Sequence, residues 1–362
     1  MENKTEMKRR DSNLELFRII VMLTIVAHHY VVNSGVINII LENNITSLKS
    51  IFLLIFGMGG KIGINCFILI TGYFMCKSNI SIKKFIKLLL EIEFYNIIIY
   101  LIFLLVGYVP FSWKDLFYKI FPISSISDSF TPTYLTFFLF IPFLNILIHY
   151  MNEKQHRNLL LLCITIFSIL PSLSINVTFN YVEWFMIVYL VAAYIRLYEN
   201  KILNKLTICK WREGICLLTI IVCVFSVIVG AYATKILNRS LFYYFVVDCN
   251  KFLSLITSVC AFLFFKNLKM KYHKWINTIA ASAFGVFLIH ANSDAMRRWL
   301  WQDVFNNVAM YNSDYLLLYA VGTVLIIYVI CTCIDWFRIQ LFEKKVLKFL
   351  DRKIFDKKIG YN

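Results

Sequence analysis

Residues 14–30 read LELFRIIVMLTIVAHHY, and this stretch decides the fold class of the chain. It is an apolar segment of membrane-spanning length that nevertheless carries Arg18 near its start and His29 near its end. Eleven residues make about three helical turns plus 20°, so both side chains share one helix face, about 16 Å apart along the axis. Ionisable side chains within a bilayer are costly and usually functional, so this pair is the first candidate site.

The composition of the whole chain indicates a membrane protein with many spans. Hydrophobic residues make up 60% of the chain, only 16% of the residues are charged, and the mean hydropathy is +0.70. The net charge of +16 does not indicate a nucleic-acid partner, because the basic residues form short clusters between apolar runs. We therefore expect this chain to contact membrane lipid and not to bind nucleic acid.

We predict an all-α integral membrane protein with about ten transmembrane helices in one bundle. The apolar runs favour ten spans, of which the fifth is short and is compatible with a re-entrant segment. The predicted spans are residues 14–32, 50–76, 85–108, 133–150, 158–172, 181–198, 215–231, 246–265, 276–291 and 315–340.

The distribution of basic residues predicts the orientation of this bundle. With the N-terminus inside, 27 of the 37 lysines and arginines fall on the inner side, 7 on the outer side and 3 within spans. This asymmetry predicts that both termini are cytoplasmic. Residues 1–340 form one polytopic domain, and residues 341–362 belong to a basic amphipathic tail, starting at about Arg338, that we expect on the anionic inner leaflet.

Several segments are similar, in order, to motifs of the membrane acyltransferase-3 family. The first is the arginine and histidine of residues 14–30, separated by ten residues. The others are GGKIGINCFILITGYFM at 59–75, YLTFFLFIPFLNILI at 134–148, FMIVYLVAAYIRLY at 185–198 and INTIAASAFGVFLIHANSDAMRRWLW at 276–301. The set spans almost the whole chain and most resembles the sugar O-acyltransferases of bacterial surface-polysaccharide clusters.

This resemblance implies a reaction and a place for the first two candidate residues. It implies an acyl-CoA donor, which we expect to be acetyl-CoA, at the cytoplasmic side of a bacterial plasma membrane. The acceptor would be a hydroxyl of a surface polysaccharide or of its lipid-linked precursor. Arg18 would hold a phosphate or carbonyl of the donor, and His29 would act as general base or as acyl acceptor. No metal is implied.

Both residues also have a structural interpretation. Arg18 could form an ion pair with Glu15, three residues earlier on the same face. His29 could be an interfacial histidine with hydrogen bonds at the membrane edge.

The donor site is less clearly marked than the resemblance would suggest. The family commonly has an arginine-rich patch at the cytoplasmic start of its third helix, and this chain has Lys83, Lys84 and Lys87 there. Lysine supplies the charge for nucleotide phosphates without the bidentate fork of arginine. Ordinary cytoplasmic lysines are an equally good interpretation.

Six further residues are candidates for contact with the acceptor. An i, i+4 histidine–aspartate pair could orient an imidazole or bind sugar hydroxyls, and a carboxylate beside a tryptophan suits a sugar. A lysine and an asparagine four residues apart share one helix face, and because buried polar groups need partners we expect them to line the same cavity as His29. A satisfied structural pair and an interfacial tryptophan belt are the alternatives. The candidates are His290 and Asp294, Glu183 and Trp184, and Lys61 and Asn65.

Two other function classes are compatible with ten spans and buried charges. One is a transporter or flippase for a polysaccharide or small molecule, with no covalent chemistry. Against it, the sequence shows no inverted repeat and no matching pair of Gly/Pro-broken helices. The other is a structural subunit of a polysaccharide assembly complex, which would tolerate the loss of both Arg18 and His29.

Overall fold

The computed structural model describes residues 11–78, 81–122, 130–199 and 212–350, and over these ranges the chain is helical without strands. Long apolar runs with few prolines and glycines form helices because only a helix satisfies the backbone within an apolar segment. The helices are α1 (Ser12–Val32), α2 (Val36–Glu42), α3 (Leu48–Gly57), α4 (Gly60–Met75), α5 (Ile82–Leu105), α6 (Trp113–Ile120), α7 (Phe130–Tyr150), α8 (Glu153–Ile164), α9 (Leu170–Ser172), α10 (Tyr181–Leu197), α11 (Arg212–Leu237), α12 (Phe252–Lys266), α13 (Lys274–Ala280), α14 (Ala283–His290), α15 (Asp294–Arg298), α16 (Leu316–Arg338) and α17 (Lys344–Leu350), with π-helical turns at Thr165–Ile169, Trp299–Val304 and Ile339–Glu343 and a 3-10 turn at Ala309–Asn312.

Six helical stretches among the described residues are long and apolar enough to cross a membrane. The prediction of an all-helical, multi-pass membrane protein is therefore confirmed, whereas the number ten and the cytoplasmic position of both termini stay predictions. The six stretches are Ser12–Val32, Leu48–Met75, Ile82–Leu105, Phe130–Tyr150, Glu213–Leu237 and Leu316–Phe349.

The remaining predicted spans are shorter helices or are interrupted. The ninth, residues 276–291, is divided into α13 and α14 by a turn at Ala281 and Ser282. The eighth starts late because residues 246–251 form turns: the Asn250 amide donates to the Phe167 carbonyl, and the Lys251 amine donates to the Pro171 carbonyl at 2.7 Å. The hydrogen bonds of Asn250 and Lys251 to backbone carbonyls thus stabilise turns in place of a further helical turn.

α1 lies at the centre of the bundle, in contact with α3, α4, α13, α14 and α16. Its Phe17 ring stacks on Phe265 with the centroids 4.8 Å apart, and its Tyr30 is fully buried. α4 approaches α1 closely because Gly60 has no side chain: a Cβ there would lie 2.2 Å from the His28 ring. The central position of α1 carries its two histidines into the interior of the molecule.

A buried ion network joins α16 to α5. Arg338 donates to Asp335 at 2.8 Å, to Glu91 at 3.0 Å and to Glu343 at 2.8 Å, and Lys87 pairs with Glu343 at 2.7 Å. Arg338 is only 5% exposed, so it belongs to the bundle and does not start a surface tail.

The predicted domain boundary at residue 340 falls within a continuous helical stretch, Leu316–Phe349. Residues 351–362, the larger part of the predicted tail, lie outside the described residues.

Candidate active site

A cavity of about 380 Å³ opens beside the C-terminal end of α1. Its volume lies within the range of small-molecule sites in proteins. The walls come from helices α1, α4, α5, α6, α7, α10, α14 and α15 and from the segments that join them. The lining residues are Ile25, His28, His29, Val32, Asn33, Gly60, Lys61, Ile64, Asn96, Tyr118, Lys119, Pro122, Phe130, Thr131, Pro132, Tyr181, Phe185, Phe287, Ala291, Asn292 and Arg297.

Two histidines from opposite ends of the sequence form a hydrogen-bonded pair at this cavity. His290 ends α14, and its Nδ1–H donates to the Val286 carbonyl of the last turn at 2.6 Å. With that nitrogen protonated, the neutral ring presents a lone pair on Nε2, and His29 Nδ1 donates to it at 2.9 Å. His290 is fully buried, which favours the neutral ring.

This chain of hydrogen bonds fixes the protonation of His29. Because His29 Nδ1 carries the proton, its Nε2 carries a lone pair. That Nε2 atom has no hydrogen-bond partner among the described residues, and the ring lines the cavity. The arrangement gives the cavity a basic and nucleophilic nitrogen on His29, held in a fixed tautomer by His290, which is not among the lining residues.

His28, which is not among the sequence-predicted site residues, also lines the cavity. Its Nδ1 donates to the Gly57 carbonyl at 2.6 Å, and its ring lies against Gly60. The α1 helix ends at the cavity, so residues on two adjacent faces reach it. The adjacent pair of histidines in the sequence was the available signal for this second residue.

Lys61 reaches the cavity wall together with Tyr181. The Lys61 amine donates to the Tyr181 hydroxyl at 2.7 Å, and that hydroxyl donates to Asp248 at 2.8 Å. Lys61 also lies 3.7 Å from Asp248, which offsets part of its charge. The sequence placed Lys61 in the same cavity as His29, and the structure shows the same placement.

Asn65 and Trp184 do not reach the cavity. The Trp184 indole N–H donates to the Asn65 oxygen at 2.8 Å, and the Asn65 amide donates to the Cys249 carbonyl at 2.7 Å. Both side chains are buried, so they join α4 to α10 instead of facing a sugar. Glu183 is exposed and is not among the described lining residues. A tryptophan near a helix start suits a core as well as an interface, and the sequence does not separate the two.

The predicted His290–Asp294 pair does not form. Both His290 nitrogens have other partners, and Asp294 pairs with Arg297 at 3.2 Å while its side chain is 89% exposed. The reason is a helix break: α14 ends at His290, and α15 starts after its N-cap Ser293. The i, i+4 geometry that would bring the pair together requires one uninterrupted helix.

Arg18 lies in the same uninterrupted helix as His29 but outside the cavity. Its guanidinium Nη1 donates to both Glu15 oxygens at 3.2 Å and is about one-quarter exposed, so the structural ion pair considered above is present. The α1 residue nearest to Arg18 that lines the cavity is Ile25. Arg18 is therefore not among the lining residues of the cavity that contains His29.

The candidate donor lysines lie at the opposite end of the bundle from the cavity. Lys83, Lys84 and Lys87 occupy the first turns of α5, whereas Asn96 is the α5 residue that lines the cavity. Thirteen residues of helix separate Lys83 from Asn96, about 20 Å. Lys87 is held by Glu343 in the ion network described above.

Several further polar residues at the cavity, among them Lys119, Arg297, Asn96 and Asn292, were not among the sequence-predicted site residues. Lys119 comes from α6 in the loop that joins two long helices, and Arg297 comes from α15. Asn292 donates to Asn96 at 3.2 Å across the cavity wall. Lys119, Asn292 and Arg297 lie in connecting segments of the sequence, whereas Asn96 lies within a long apolar run. Only Asn292 and Arg297 are near His290 along the chain.

A bundle of membrane-type helices defines a multi-pass membrane protein, and the histidine pair at the cavity is its candidate site. The chain matches the model of the acyltransferase-3 family, described as an acyltransferase domain, over residues 11–334, and it belongs to that family. It is a membrane acyltransferase. No curated protein and no solved structure matches it.

Proposed function

We propose that this protein is an integral membrane O-acyltransferase of a bacterial plasma membrane. It moves an acyl group, acetyl in the simplest case, from cytoplasmic acyl-CoA to a hydroxyl of a surface polysaccharide or its lipid-linked precursor. The observation that carries the proposal is the 2.9 Å hydrogen bond between His29 and His290 beside a cavity of about 380 Å³, from which the Nε2 lone pair of His29 is inferred. In an acyltransferase family, a nitrogen of this kind is suited to activate a hydroxyl or to receive the acyl group.

In the direct route, His29 Nε2 takes the proton of the acceptor hydroxyl. The hydroxyl oxygen forms a bond to the thioester carbonyl carbon, the carbon–sulfur bond breaks, and coenzyme A leaves as a thiolate. The proton then passes from His29 to the thiolate, which restores the neutral ring. Throughout, His29 Nδ1–H donates to His290 Nε2 at 2.9 Å and keeps the ring in place.

In the two-step route, His29 Nε2 itself attacks the thioester carbonyl. The carbon–sulfur bond breaks, coenzyme A leaves as a thiolate, and the ring becomes an acyl-imidazolium that keeps its Nδ1–H bond to His290. The acceptor hydroxyl oxygen then bonds to the acyl carbon as the carbon–nitrogen bond breaks, and the hydroxyl proton passes to the thiolate, which leaves the His29 ring neutral. Both routes use the same lone pair and the same hydrogen bond to His290. A burst of coenzyme A release before steady state would favour the two-step route.

Arg18 is the proposed contact for the donor, from the other end of α1. Its guanidinium is partly exposed, and within the described part of the chain it forms hydrogen bonds only with Glu15 of the same helix. A phosphate or carbonyl oxygen of acyl-CoA would compete with Glu15 for the same N–H groups. Lys83, Lys84 and Lys87 would add positive charge at the same, predicted cytoplasmic, end.

The test uses the full chain, purified in a non-ionic detergent, with radiolabelled acetyl-CoA and glycan from the source membranes. We expect the wild type to transfer label and His29→Ala to transfer none, since the variant lacks the nitrogen that the hydrogen bond to His290 holds in place. The matched control is His156→Ala, which removes a buried histidine bonded to the Leu190 carbonyl, away from the cavity. This control should keep its activity.

Transfer by His29→Ala at the wild-type rate would refute the assignment. Movement of a glycan across vesicle membranes without any labelled product would instead support the transporter class.

A further inference from the structure

The cavity wall is positively charged and has no acidic counterpart within it. Lys61, Lys119 and Arg297 all line the cavity, together with His28 and His29. None of the described lining residues is an aspartate or a glutamate. A partly enclosed site with charges of one sign concentrates ligands of the opposite sign.

Two of these cations have N–H groups available to bind a ligand. The Lys119 amine has no hydrogen bond or ion pair among the described residues, and burial lowers its pKa, although Asp115 and Asp294 act in the opposite direction. Arg297 pairs through one nitrogen with the exposed Asp294, and its buried Nε atom has no partner in the described chain. Exposed ion pairs contribute little, so this pair leaves most of the Arg297 charge available.

Lys61 is a weaker candidate for the same role because its charge is already partly offset. It donates to Tyr181 and lies 3.7 Å from Asp248. The buried oxygen of Asn292 also lacks a partner among the described residues, so the wall offers an acceptor for a sugar hydroxyl next to the cations.

We propose that the acceptor is an anionic glycan, and that Lys119 and Arg297 bind its carboxylate or phosphate oxyanion while its hydroxyl approaches His29. The proposal rests on the proposed function and adds the substrate class. The oxyanion has two possible sources: the carboxylate of an acidic sugar, or the phosphate of a lipid-linked or sugar-phosphate precursor. Guanidinium and ammonium groups bind either one through charge-assisted hydrogen bonds.

Binding is measured separately from chemistry, on the full-length His29→Ala protein in a non-ionic detergent. The probes are glucuronate and glucose 1-phosphate, with glucose as the neutral counterpart, and the readout is the dissociation constant by calorimetry. We expect tighter binding of at least one charged probe than of glucose. Preference for glucuronate assigns the carboxylate source, and preference for glucose 1-phosphate assigns the phosphate source.

Charge-removing variants then locate the site. Lys119→Gln and Arg297→Gln should each weaken binding of the preferred charged probe about tenfold or more, which corresponds to one charge-assisted hydrogen bond. Arg297→Lys should weaken it less. The matched controls are Lys114→Gln, on the same helix as Lys119, and Arg298→Gln, next to Arg297; both are exposed and outside the cavity, and should bind as the parent does.

Equal binding of the three probes, or equal losses in the site and control variants, would overturn the proposal. In wild-type background, the two site variants should raise the KM for the glycan and leave the KM for acetyl-CoA unchanged. A raised KM for acetyl-CoA instead would place the donor at these cations and also overturn it. A protein that binds charged probes but transfers no label would refute the proposed function alone.

Discussion

The replacement His290→Leu tests the histidine pair most directly. Leucine removes the Nε2 atom that accepts from His29 Nδ1 at 2.9 Å, and it fills most of the same buried space. The His29 Nδ1–H then lacks a partner at a cost of about 1–3 kcal/mol. The ring relieves this cost by moving the proton to Nε2 or by turning, and both remove the lone pair from the cavity. General-base catalysis contributes about 10²–10⁴-fold.

We therefore expect His290→Leu to lower kcat about 10²–10³-fold, equivalent to about 2.7–4 kcal/mol in the activation barrier. The KM for acetyl-CoA should change little, because His290 is buried and not among the described lining residues of the cavity. His290→Gln should recover part of the rate, since its amide oxygen is again an acceptor. Initial rates of labelled acetyl transfer measure all of these values.

Two controls separate positioning from simple destabilisation. His156→Leu removes another buried histidine whose ring bonds to a backbone carbonyl, so it should match His290→Leu in stability loss and keep its kcat. The double variant His29→Ala with His290→Leu should be no slower than His29→Ala alone, because both act through one nitrogen. A kcat of His290→Leu within about threefold of wild type would refute the reasoning.

Two further predictions concern the donor end and the ion network. Arg18→Ala should raise the KM for acetyl-CoA about tenfold because a charge-assisted contact to the donor is lost. Glu15→Gln should lower that KM because it releases the Arg18 guanidinium from its ion pair. If both variants lose thermal stability and keep the wild-type KM, the pair is purely structural. Arg338→Ala should reduce the free energy of unfolding by about 3–5 kcal/mol, because the buried Asp335 and Glu91 lose their ion pairs and Asp335 keeps only the Tyr95 hydroxyl. Thermal unfolding in detergent measures this loss, and a value under about 1 kcal/mol would contradict the prediction.

The misplaced candidates show where sequence patterns lose information. The spacing of His290 and Asp294 predicts a contact only if one helix carries both, and the break after His290 removes it. Trp184 is a tryptophan near a helix start, as is typical of a membrane interface, but it is buried and donates to Asn65. Arg338 resembles the start of a basic tail, yet it is buried with two nearby carboxylates, Asp335 and Glu343, and with Glu91 of α5.

The sequence by itself determined the properties that depend on neighbours along the chain. Apolar composition and run length determined a multi-pass helical protein, the ordered motifs determined its family, and helical spacing placed Arg18 and His29 on one side of α1. Only the tertiary structure decided the partner of His29 and the charge of its cavity. His290 lies 261 residues away, and Lys119 and Arg297 come from separate short helices. Such contacts depend on how helices pack, and helix packing is not contained in local periodicity.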